Sequence, residues 1–188
     1  MSDSKSLVNR MVRAARLKVN LYEEVEADTS ATKQAFLVVL VVSVLSGIGT
    51  GLVGLMHGQG VLPFIWGLFG GIISSFVGWI AWAFFTWLIG TKVLKGSKTS
   101  ATWGELLRTI GFAFSPGAFR FFVFVPVVGW LISLAALIWS LIAGVIAVRQ
   151  ACDFSTWRAL GTCILGWIIY TIISFLILRP IFGIGPVY

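Results

Sequence analysis

Five long, largely apolar stretches, at residues 34–56, 64–89, 104–125, 127–148 and 158–178, dominate this chain and are joined by short polar or glycine-rich connections. Each is long enough as a helix to cross a ~30 Å hydrocarbon core. In lipid a backbone must satisfy its own hydrogen bonds, which leaves helix bundles and closed barrels. The stretches do not alternate apolar with polar, so a bundle is expected. A chain of 188 residues that is 58% hydrophobic and 11% charged, with mean hydropathy +0.97, has too little polar surface for a soluble domain. The expected fold is therefore all-α. It is a polytopic membrane domain over 31–188 with five transmembrane helices, preceded by a cytoplasmic segment over 1–30 that holds an amphipathic interfacial helix.

The third stretch is the least regular. Thr102 and Glu105 form a Thr-x-x-Glu capping box, the start of a helix. Glu105 and Arg108 stand three residues apart on one face, so they are expected to pair. Pro116, in the run Ser115-Pro116-Gly117, is expected to kink the helix.

Small residues mark helix contacts. Ser43, Gly47 and Gly51 on the first span, and Gly67, Gly71 and Ser75 on the second, recur every four residues. Such stripes let backbones approach closely, so the first two spans are expected to form a tight hairpin. Gly129, Ser133, Ala136, Ser140 and Gly144 give the fourth span a similar seam. Trp79, Trp82 and Trp87 serve as packing or interfacial aromatics.

Ahead of the spans, Val8, Met11, Val12, Ala15, Val19 and Tyr22 recur at helical spacing. Arg10, Arg13 and Arg16 lie opposite, which predicts one basic amphipathic helix over 5–22. It either lies on an anionic leaflet, with Arg10, Arg13 and Arg16 as lipid contacts, or docks on its own bundle. Glu23, Glu24, Glu26 and Asp28 follow as an acidic cluster, read as a solvated run or as a docking patch for a protein partner built on Glu23, Glu24 and Glu26. Met1–Asp28 has no short apolar core, so no signal peptide is expected.

Basic residues also set the topology. With an inside N-terminus, twelve Lys and Arg fall on the inner side, among them Lys33, Lys92, Lys95, Lys98, Arg149 and Arg158. Only Arg120 and Arg179 fall outside. This bias predicts a cytoplasmic N-terminus and a C-terminus on the opposite side. It also explains the net charge of +7 as topology and lipid contact, with no nucleic acid involved.

The inventory argues against an enzyme. The chain has one histidine, His57, and two cysteines, Cys152 and Cys163, with no C-x-x-C, H-E-x-x-H or G-x-S-x-G. No metal set and no cofactor are expected, and both cysteines read as free thiols. Transport needs ionisable groups at depth. Glu105, Arg108 and Arg120 all sit near an interface, where pairing or snorkelling suffices. The break at Pro116 is the one feature that suits a small pathway.

The order of these features resembles the Yip-one domain family of five-span proteins. The residues that carry the resemblance are YEEVEAD at 22–28, GTK at 90–92, TSATWGELLRTIGFAFSPG at 99–117, and the block at 125–159 that begins VPVVGW. The pattern is closest to bacterial and archaeal-type members, which implies a prokaryotic plasma membrane. The resemblance implies five spans and a non-enzymatic role. Eukaryotic relatives bind small GTPases through a cytosolic N-terminal region, but the first 30 residues here match none of those tail motifs. The expected function is a membrane adaptor or organising protein that binds lipid and a protein partner, as an accessory subunit of a larger assembly. The alternative is a small transporter or channel using the third span.

Overall fold

The computed structural model describes residues 5–96 and 99–173, and those residues are helical with short turns. The elements are α1 (Leu7–Ala15), α2 (Val19–Ala27), α3 (Ala31–Met56), α4 (Val61–Leu88), α5 (Trp103–Ala113), α6 (Gly129–Ala151) and α7 (Thr156–Ile173). A π-helical turn, Ile89–Val93, extends α4, and a 3-10 segment, Ser115–Phe124, continues α5. Among the described residues, α3, α4 with its π turn, and α6 are long and apolar enough to cross a membrane. Lys98, Arg179 and the end of the expected fifth span lie outside the described residues.

The α5 helix and its 3-10 continuation form the centre. In α5, Leu106 and every residue from Arg108 to Ala113 are buried, as are Ser115, Pro116 and Gly117 after it. The helix starts where expected: Thr102 Oγ1 accepts from Glu105 N at 3.3 Å, and the Glu105 carboxylate accepts from Thr102 N at 2.8 Å. It changes character at Pro116. A continuing α-helix would place an N–H on residue 116 to donate to the Phe112 carbonyl, and proline has none. The Ser115 hydroxyl donates to that carbonyl instead, at 2.7 Å. Gly117 N then donates to the Phe114 carbonyl at 2.8 Å, an i to i−3 bond, and the chain runs on as a 3-10 helix.

Close approaches fix how the helices run. A Cβ on Gly111 would lie 2.8 Å from the Ala35 Cβ, and one on Gly117 would lie 3.0 Å from a Val42 methyl. One on Gly49 would collide with the carbonyl oxygens of Arg120 and Phe121. Partners thus rise together, so α5 with its 3-10 segment runs parallel to α3. Trp79 of α4 donates its indole N–H to the Leu107 carbonyl at 3.0 Å. Phe119 stacks on Trp139 of α6 with centroids 5.6 Å apart. α7 lies against α4, with Gly166 beside Thr86 and Gly161 beside Leu94.

The α3–α4 hairpin forms, with its glycine stripes not face to face. Leu68 and Phe64 of α4 reach into the space above Gly47 and Gly51 of α3, while Gly67, Gly70 and Gly71 of α4 border open space. Large side chains over one stripe pack better than two bare backbones. One expectation changes: the helix expected over residues 5–22 is broken into two. Leu17 adopts φ +56, a left-handed conformation, and the chain reverses into the α1–α2 hairpin. In one straight helix Arg10 and Asp28 would stand ~27 Å apart. The reversal brings them into contact.

Candidate functional site

The side chains singled out in the first thirty residues converge with the head of α5 at one end of the bundle. Arg10, on α1, has a side chain only 1% exposed. Its Nε donates to Glu24 at 3.0 Å, Nη1 to Gln34 at 2.8 Å and Nη2 to Asp28 at 2.7 Å. Arg13 donates to the second Glu24 oxygen at 2.7 Å. A buried guanidinium is tolerable only when paired and hydrogen-bonded in this way. Burial pushes the Glu24 carboxyl up, but hydrogen bonds from Arg13 and Arg10 outweigh it and hold the group below its ordinary range. Asp28 is held down to about 2, first by the Ser30 hydroxyl and then by Arg10.

The lipid role expected of Arg10 is thereby corrected: the charge points inward, onto carboxylates of its own chain. Arg13 shares Glu24 with it, and of the three arginines Arg16 is the exposed one. Glu24 is likewise taken within the chain and is not free for a partner.

Arg108, on α5, is 7% exposed. It does not pair with Glu105, whose carboxylate is used in the capping box. Arg108 Nε donates to the Val25 carbonyl at 3.0 Å, and Nη2 donates to the Glu26 carbonyl. These belong to the last turn of α2, where carbonyls lack helical partners. α2 has no basic residue in its own last turn. Arg108 therefore supplies from another helix both the missing donors and the cation that a helix C-terminus favours. Leu21, Tyr22 and Val25 are fully buried on the same face of α2, joined to the core of the bundle.

Beside this clamp lies a cavity of about 340 Å³, lined by Glu23, Glu26, Ala27, Glu105, Gln150 and Asp153. Gln150 Nε2 donates to Glu23 at 2.8 Å. Glu26 is pushed up to about 7, chiefly by burial, then by the charges of Glu105 and Asp153, with Arg108 opposing and Glu23 adding. Asp153 adopts φ +52 in the turn after α6 and lies on the cavity wall. Gln34 and Gln150, neutral in sequence, gave no signal.

Among the described residues, no group of His, Cys, Asp and Glu is placed to hold a metal ion. Cys152 and Cys163 are free and buried. Ser115–Gly117, where a pathway was considered, is buried, and the Ser46 hydroxyl reaches the Gly117 carbonyl at 3.4 Å.

Comparison with known families matches the Yip1 domain over residues 20–178, from α2 to the far end of α7 and beyond. Neither the curated proteins nor the solved structures give a match. The match takes in Arg108, the acidic cavity and the whole bundle but begins after α1. The chain thus belongs to the Yip1 domain family of membrane proteins.

Proposed function

We propose that this protein is a non-enzymatic membrane organising protein whose α1–α2 hairpin is the cytoplasmic face of a five-span bundle. The observation that carries the reading is the seating of that hairpin, with Arg10 enclosed by Glu24, Asp28 and Gln34, and Arg108 holding the end of α2. A folded platform at the end of a bundle suits recruitment better than chemistry.

Five crossings are supported by length and register. The 11 residues of α5 span ~16 Å as an α-helix. The 10 residues of the 3-10 segment add ~20 Å. Together they exceed the ~30 Å core while lying alongside α3. The 18 residues of α7 span ~27 Å. The excess of basic residues at the hairpin end supports an inside N-terminus.

On this platform Arg16, with Lys5 and Lys18, is exposed toward anionic lipid. Arg13 is half-buried and lends its charge from the edge. Glu23 and Glu26, together with Glu105 and Asp153, present an acidic hollow whose charge complement is a basic segment of a protein partner. The protein then acts as an accessory subunit that holds such a partner at the inner leaflet.

The test is purification of the intact protein in mild detergent, with identification of what travels with it. Wild type is expected to retain a partner that an E23Q/D153N variant loses. No partner, combined with solute flux in proteoliposomes that E105Q alters, would favour the transport reading instead.

A further inference from the structure

We infer that the α1–α2 hairpin is a lid latched to the inner end of the bundle by Arg108, and that charging of Glu26, set among the other carboxylates of the cavity beside that latch, loosens it. The inference rests on the docking of the hairpin and holds whatever partner binds there.

Three contacts hold α2 down. Leu21, Tyr22 and Val25 bury one face. Arg108 binds the carbonyls of Val25 and Glu26 from across 83 and 82 positions of sequence. Gln150, at the end of α6, donates to Glu23. Two of these three meet α2 at residues whose side chains face the cavity, so the latch and the acidic wall are the same few residues.

The wall contains an imbalance of charge. Glu26 is faced by Glu23 from its own helix, by Glu105 and Arg108 from α5, and by Asp153 from the turn after α6. The neutral Gln150 and the buried thiol of Cys152 adjoin it from the end of α6. Arg149 turns its Nε to Gln150, and Arg10 and Arg13 of α1 are taken by Glu24 and Asp28. Among the described residues, Arg108 is the cation that acts on Glu26, and its guanidinium is committed to backbone carbonyls. An ionised Glu26 adds to three carboxylates with one spent cation to balance them.

Geometry sets the direction of the response. A seated lid raises the proton affinity of Glu26 from an ordinary value of 4.5 to about 7. The seated state therefore holds a proton that a lifted, solvated α2 releases between those values. Seating strengthens as pH falls through about 7 and weakens as pH rises through it. Chain beyond Asp28 offers the hinge, since Thr29 and Ser30 join α2 to α3 outside either helix.

Hydrogen exchange of the intact protein in lipid nanodiscs, from pH 5.5 to 8.5 with times scaled for intrinsic exchange, reads the seating directly. Amides of α2 in wild type are expected to lose about tenfold protection as pH rises from 5.5 to about 7 and to level off above it, with amides of α6 unchanged; one unit of linkage is a factor of ten, and partial exposure of Glu26 limits the effect to about that size. E26Q removes the titrating group and is expected to give a flat profile. Should E26Q fail to accumulate, E105Q keeps the capping box and removes one repelling charge, which moves the midpoint to lower pH. A flat wild-type profile, an E26Q profile like that of wild type, or an unmoved midpoint in E105Q would overturn the inference.

Discussion

At the scale of single residues, two arginines decide how the first thirty residues are used. Arg10 is buried and hydrogen-bonds Glu24, Asp28 and Gln34 together. R10A is expected to destabilise the protein by about 3 kcal/mol, since it leaves opposed carboxylates half-covered without their cation. R16A, on the exposed side, should cost about 0.5 kcal/mol or less. Unfolding midpoints of the purified variants in a denaturing-detergent titration distinguish them. Asp28 gives the cage a signature in acid. Its folded value lies near 2 against an ordinary 3.8, so its contribution is complete above pH 3.8 and is lost as pH falls through about 2. A plot of thermal midpoint against pH should show that acid limb in wild type and a flatter one in D28N. The charges themselves were readable in sequence, and their partners were not. Arg10 meets Asp28 only because Leu17 turns left-handed, and a leucine carries no turn signal of the kind glycine or asparagine does. For the same reason Glu105 and Arg108 looked like a pair. Spacing along one helix reveals neighbours on that helix and says nothing about the end of another helix brought against it.

Among the elements, the α5 segment shows what local sequence can and cannot convey. Its capping box and the break at Pro116 were legible, because both are set by residues within a turn of each other. The length of the 3-10 run was not, since Pro116 only starts it and the ten residues then lie between α3 and α6. Glycine stripes divide in the same way. Their presence is visible in sequence, but which stripe receives a neighbour depends on the rotation of each helix. Gly49 lies against the carbonyls of Arg120 and Phe121, so a methyl there pushes backbone against backbone. G49A is expected to cost about 1–3 kcal/mol. Gly71 borders open space, and G71A should be neutral or stabilise by up to about 1 kcal/mol through helix propensity. Detergent-titration midpoints of the two variants should move in opposite directions or differ by at least the cost at Gly49.

For the molecule as a whole, the apolar stretches carried most of the helical architecture, since lipid imposes length on any helix that crosses it. The helices of the bundle fall within a few residues of where hydropathy placed them. The convergence of α1, α2, the head of α5 and the turn after α6 was beyond sequence reading, because it joins residues more than a hundred positions apart, as Glu23 and Gln150 are. The Yip1 domain match begins at residue 20, so Arg10 lies ahead of the matched region while its acceptors Glu24, Asp28 and Gln34 lie within it. The most direct test of a five-pass bundle with its hairpin inside is cysteine labelling in oriented membranes with an impermeant reagent, using Cys152 and Cys163 as a silent, buried background. Q59C, between α3 and α4, and V128C, ahead of α6, should label from outside, whereas N20C and K95C should label only after the membrane is opened. Labelling of Q59C and K95C from the same side would contradict the arrangement.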